Sequence, residues 1–123
     1  MPYAIIHEAQ GVLVKWWGHA SSADVVRMQE QAHANPNYDQ FRYSIHDFSE
    51  CVGFSCDLAD MEYSAAIDAA AGRTNQRVKV AVVTNLPEVL QAAQAYWDNG
   101  LSPYPIRTFS TLEDARTWVA VAP

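Results

Sequence analysis

Basic charge is what this chain has least of: 8 Lys and Arg stand against 14 Asp and Glu, a formal net charge of -6. A phosphate backbone would be repelled, and no local basic stripe offsets this, so the composition argues against nucleic-acid binding. Long apolar runs are also missing. None approaches the roughly 20 residues a membrane helix needs, and residues 1–10 have neither a basic leader nor an apolar stretch. The expectation is a cytoplasmic protein with no secretory signal and no membrane insertion. Cysteine is scarce. Cys51 and Cys56 lack CxxC spacing and a second pair, which makes them reduced, inert thiols rather than a redox couple or half a metal site. His7, His19 and His33 fall on three different predicted elements without ligand spacing, so neither a metal nor a cofactor is expected. Repeats, linkers and low-complexity segments are absent too. The 123 residues, 50% hydrophobic, make one domain over residues 1–123 with enough apolar surface for a single core.

What is present reads as alternating strands and helices. Tyr3–Glu8 and Val12–Trp17 form a hairpin around Gln10-Gly11. Val12, Val14 and Trp16 share one face of the second strand, and Leu13, Lys15 and Trp17 the other. Both faces carry apolar bulk, so the sheet must be covered on both sides, with Trp16 and Trp17 in opposite layers. Gly18-His19-Ala20 reads as a loop. Ser21 or Ser22 then caps a helix with Val25, Met28 and Ala32 inward, ended by Asn35-Pro36-Asn37. A central strand, Phe41–Phe48, enters a polar turn that opens a helix near Ser55. That helix runs to Ala71 with Leu58, Met61, Ala65 and Ala69 inward, and with Asp57, Asp60, Glu62 and Asp68 on a solvated face.

Val78–Val83 is the most strand-like run and belongs in the sheet centre. Pro87 starts a helix capped at Asn85 or Leu86, with Leu90, Ala93 and Trp97 toward the core. A short strand, Ile106–Phe109, precedes a capping box at Ser110–Glu113 and a last helix with Leu112, Ala115 and Val119 inward. The order ββαβαβαβα predicts an α/β domain. Its sheet has five strands, mostly parallel with an antiparallel N-terminal hairpin strand, and its four helices lie on both faces.

In such a fold the open crevice lies beyond the carboxyl ends of the strands. It should gather Asp47, Phe48, Ser49, Ser55, Thr84 and Asn85 from the junctions after the third and fourth strands, with Thr108 near them. Helix amides aimed there suit a small anionic ligand or a partner's carboxylate. His46 and Asp47 are adjacent on a strand and point to opposite faces, so they do not make an oriented base. The aromatic content permits a homodimer face or an apolar pocket. A pocket of about 300 Å³ or more lined by Tyr63, Tyr96 and Trp97 would indicate an apolar-ligand carrier.

A hairpin ending near Gly18, a serine-capped helix closing at Asn35-Pro36, a strand ending at Asp47, the Val78–Val83 strand, and the Arg107–Trp118 ending with Leu112, Ala115 and Trp118 together resemble the SpoIIAA-like proteins. These are small standalone bacterial relatives of the STAS domain. The resemblance covers nearly the whole chain and implies the fold above. It also implies a regulatory, non-enzymatic binding module, engaging a protein partner or small ligand at the strand 3 to helix 2 turn, with a phosphorylatable serine for which Ser49 and Ser55 stand in position. Asp47-Phe48-Ser49 matches the first part of that group's serine motif, while Phe54-Ser55-Cys56-Asp57 departs from the second. A lipid-like ligand carrier, or a small enzyme using His46 or Cys51, are the alternatives.

Overall fold

A computed structural model describes residues 2–121. The elements run β1 (Tyr3–His7), β2 (Gly11–Ser21), α1 (Ser22–His33), a 3-10 turn (Tyr38–Gln40), β3 (Tyr43–Ser55), α2 (Leu58–Ala71), β4 (Lys79–Val83), α3 (Pro87–Asp98), β5 (Ile106–Phe109) and α4 (Leu112–Ala120). The five strands lie in chain order, β1 antiparallel to β2 and every later pair parallel. Parallel neighbours need crossovers, and crossovers that step the same way along a sheet share a hand and therefore a face. Accordingly α1, α2 and α3 supply Met28, Ala32, Met61, Ala65, Val89, Ala92 and Tyr96 to one core with Val12, Val14, Trp16, Val80 and Val82. Helix α4 alone covers the other face, packing Ala115 with Leu13, Ile45, Ala81 and Val83. Arg116 fixes α4 to the β1–β2 turn by a two-pronged ion pair with Glu8, at 2.8 and 2.6 Å. That guanidinium holds the Glu8 carboxyl below the usual range. Among the described residues no helix is long and apolar enough to cross a membrane.

The largest departure from expectation lies in the middle of the chain. Gly18-His19-Ala20 is strand rather than loop, and the segment from Phe48 to Ser55 is strand rather than turn. The two run side by side from Gly11 opposite Tyr43 to Ser21 opposite Ser55, with register shifts at Lys15/Trp17 and Gly18/His19. Strand β2 spends 11 residues on this course and β3 spends 13, so β3 carries two extra residues, one at each shift. Each bulge inverts the in-out alternation. The inward positions therefore change from Phe48 to Cys51 to Phe54, all buried, which hides a strand from a period-two reading. Gly18 adopts φ 65, a backbone conformation that suits a residue without Cβ.

Three helices sit differently from their predicted phase or boundary. Helix α2 begins at Leu58 with Asp57 as its cap, accepting from the Ala59 amide at 3.0 Å, so Ser55 is not the cap. Its buried stripe is Met61, Ser64, Ala65 and Asp68; Leu58 is exposed, and Asp68 is inside the fold rather than on a solvated face. Helix α3 buries Val89, Ala92 and Tyr96, one residue before the expected Leu90, Ala93 and Trp97. Both stripes are apolar at helical spacing; the first is the one packed in the core, with Leu86 and Ala95 partly buried against it. Helix α4 is capped by Thr111, which accepts from the Asp114 amide, in place of the box expected at Ser110. For α1 the cap is Ser21, in a reciprocal box with Asp24.

Candidate functional site

Strand β4 ends at Val83, opposite Asp47. Beyond that point β3 continues to Ser55 with β2 on one side and no strand on the other among the described residues. The result is a two-stranded ribbon standing past the end of the sheet and past the reach of α4. With nothing over it, Trp17 remains 42% exposed and Val52 66%, and Leu58 in the first turn of α2 is also 66% exposed. Trp16 and Trp17 do point to opposite layers. Only Trp16 finds cover, between Tyr3 and Phe48 at ring-centroid distances of 5.0 Å each. Glu50, Asp57 and Glu62 on β3 and at the start of α2 are exposed, as is Lys15 on the Trp17 face of β2. Ser22 ties the ribbon's end to α2: its hydroxyl accepts from the Asp57 amide at 2.9 Å and donates to Asp60 at 2.8 Å.

At the ribbon's base Asp47 is buried, and its Oδ1 accepts from both the Ser49 amide at 3.0 Å and the Ser49 hydroxyl at 2.6 Å. Thr84, one residue past the partner of Asp47, is buried as well, and its Oγ1 accepts from the Leu86 amide at 3.0 Å; of the two caps expected for α3, Leu86 holds the position, without a side-chain cap bond, and Asn85 is exposed before it.

A second polar group lies under α1, α2 and α3. Tyr96 donates to Asp68, whose other oxygen is 3.2 Å from His33 Nε2, and Ser102 completes the group at 2.6 Å from the Tyr96 hydroxyl. Burial raises the Tyr96 hydroxyl far above its ordinary range. Nearby, Tyr38 donates to Tyr104 at 3.0 Å and Tyr104 to the Asn75 carbonyl at 2.6 Å. Ser44 and His46 face the same interior, 2.9 Å apart. Burial lowers His46 to about 4, so the ring is neutral at pH 7 and a weak base. Of these groups His33, Tyr38, Ser44, His46, Asp68, Tyr96 and Tyr104 line a cavity of about 90 Å³. The signal for Ser64 and Asp68 was in the sequence: both lie in the same helical phase as Met61 and Ala65.

No protein-family model matches the chain, and no curated protein matches it either. Solved structures do. The chain is similar to the anti-sigma factor antagonist SpoIIAA in its unphosphorylated form, with TM-score 0.58 and 10% identity over 98% of this chain and 99% of that one. The fold is SpoIIAA-like. The phosphorylated form of the Bacillus cell fate determinant SpoIIAA matches with TM-score 0.56 and 13% identity over 95% and 98% of the two chains. An uncharacterised protein with a SpoIIAA-like fold from Shewanella loihica matches with TM-score 0.49 and 18% identity, covering 95% and 91%.

Within this SpoIIAA-like domain the six residues expected to share one crevice divide into three groups. Asp47 and Ser49, hydrogen-bonded to each other, lie beside the end of β4, and Thr84 and Asn85 follow Val83, the register partner of Asp47. Phe48 points away from them into the core, where it is 5% exposed. Ser55 is exposed at the far end of the ribbon, on the order of 20 Å along the strand from Asp47. The apolar pocket expected behind Tyr63, Tyr96 and Trp97 does not exist as one space. Tyr63 and Trp97 are exposed while Tyr96 is buried, and the 90 Å³ cavity beside Tyr96 is well below about 300 Å³. Trp97 instead lines an open groove with Leu90, Ala93 and Ile106, between α3 and the edge strand β5. Cys51 is buried with its thiol toward the Gly53 carbonyl, and Cys56 is exposed. Among the described residues no cluster of His, Cys, Asp and Glu could hold a metal ion.

Proposed function

We propose that this chain is a regulatory binding module whose docking face is the β2–β3 ribbon together with the first turn of α2. The observation that carries this reading is the uncovered apolar surface there: Trp17, Val52 and Leu58 are exposed on elements whose opposite sides are firmly packed. Apolar side chains held on a rigid frame and ringed by charge form the usual anatomy of a protein-docking patch. Three exposed carboxylates, Glu50, Asp57 and Glu62, against the one exposed Lys15 on the Trp17 face favour a partner that is apolar at its centre and mainly basic around it. A regulatory role is consistent with the SpoIIAA-like fold, SpoIIAA itself being described as an anti-sigma factor antagonist and seen in a phosphorylated form.

Ser49 and Ser55 are the exposed ribbon hydroxyls open to modification. A phosphate on Ser49 would replace its hydrogen bond to Asp47 with like-charge repulsion and open the base of the ribbon. Exposed Ser49 and Asn85 are assigned to the inner margin of the docking face, while Asp47 and Thr84 are buried. The test is affinity capture with the wild-type chain and with a Trp17→Ala/Val52→Asp variant that keeps its fold. The reading expects a protein retained by the wild type and lost by the variant. Equal retention by both, or a turnover activity that survives in the variant with no retained partner, would overturn it.

A further inference from the structure

The 90 Å³ cavity beneath α1, α2 and α3 is not explained by docking on the ribbon, since Trp17, Val52 and Leu58 do not line it. Its walls are mainly apolar, with Val12, Met28, Met61, Val80 and Val82 among them, but Ser44, His46, Gln29 and Asp68 also border it. Gln29 is the informative member. It is only 7% exposed, its Nε2 donates to the Ser64 carbonyl at 3.2 Å, and its Oε1 has no hydrogen-bond partner. A buried acceptor left unpaired is costly, and native folds supply such groups with a partner from protein, water or ligand. The space is that of roughly three waters, or of one molecule of the same bulk.

Charge decides the class of occupant. Asp68 already receives Tyr96 and faces His33, and burial keeps His46 neutral at pH 7. No unpaired charge is therefore offered to an ion, whose desolvation would go uncompensated. We propose that the cavity is a binding site for a compact neutral molecule with an apolar edge and one N–H or O–H donor, which pairs with Gln29 Oε1.

Pyrazole and furan are suitable probes: they are five-membered rings of nearly the same size, and only pyrazole carries a donor. Each is titrated into the intact chain while the methyl resonances of Met28, Met61, Val80 and Val82 are followed. The expected result is saturable shifts at those methyls, with pyrazole bound about tenfold more tightly than furan, the scale of one buried hydrogen bond. Gln29→Leu should abolish the preference, and Ala92→Val, which adds bulk to a lining residue, should weaken both ligands. Absence of saturable shifts in the wild type would show a cavity closed or committed to water, and would overturn the proposal. Equal binding of furan and pyrazole would overturn the assignment to Gln29. Should Gln29→Leu not fold, the two wild-type titrations still decide. Loss of binding here would leave the ribbon reading standing, because capture on the ribbon is read at different residues.

Discussion

Replacing Phe48 by alanine separates a docking residue from a core residue. Phe48 lies parallel to Trp16, with centroids 5.0 Å apart and planes at 11°, and meets the edge of Phe54 at 5.8 Å and 89°. It is 5% exposed, so truncation removes nearly all of its packed surface and leaves a cavity that the flanking rings cannot close. Buried Phe→Ala changes cost about 3–5 kcal/mol, a total that includes the aromatic pairing. Against the 5–15 kcal/mol or so that holds a small domain, this is a large fraction. At about 4 °C per kcal/mol for a domain near this length, Tm should fall by about 12–20 °C. Urea unfolding followed by far-UV circular dichroism measures the change as a lowered midpoint with an unchanged slope. Val52→Ala, at a 66% exposed position on the same strand, should stay within about 0.5 kcal/mol of wild type. A Phe48→Ala loss below about 1 kcal/mol would mean that the ring is at the surface and that the ribbon is not packed as described.

The neutral His46 makes stability depend on pH. Its folded pKa of about 4 lies below the ordinary 6.5, so as pH falls the unfolded chain takes up the proton first. Stability is lost between about pH 6.5 and pH 4, by up to about 3 kcal/mol, and a folded His46→Gln variant should show a flatter urea midpoint across that window. The phase of α3 predicts that Tyr96→Phe, which strips a hydrogen bond from Asp68 and from Ser102, costs about 1–3 kcal/mol. Trp97→Ala, at a 48% exposed position, should cost under about 1 kcal/mol; the reverse order in thermal melts would show the helix rotated. Asp57→Ala should destabilise by about 1 kcal/mol through loss of the α2 cap, while Ser55→Ala should leave the melting temperature unchanged.

Strand and helix order, the antiparallel edge and the α4 face were legible because each rests on a period repeated within one segment: Val78–Val83 has no competing reading, and Leu112, Ala115 and Val119 form a single stripe. The middle of the chain was not legible for a specific reason. Two bulges in β3 break the alternation at Lys15/Trp17 and Gly18/His19, and a strand so interrupted looks like a turn rich in Ser, Glu and Gly. Helix α3 has two apolar stripes at helical spacing, and periodicity alone does not separate them. Asp68 reads as solvated by its charge, whereas its helical phase, three residues after Ala65, sets it among buried neighbours. The position of Thr84 just past the end of β4, one residue beyond the partner of Asp47, follows from strand ends alone, whereas the cavity polar set joins α1, α2, α3 and β3, which no local pattern connects.

Amide hydrogen exchange on the chain, free and saturated with the protein retained in the capture experiment, tests the docking face most directly. The prediction is new protection concentrated at Trp17–Ser21 and Phe48–Ser55, with Leu58 in the first turn of α2, and little change in α3 or β5. Protection confined to the Leu90–Trp97 side of α3 and to β5, with the ribbon exchanging as before, would contradict it.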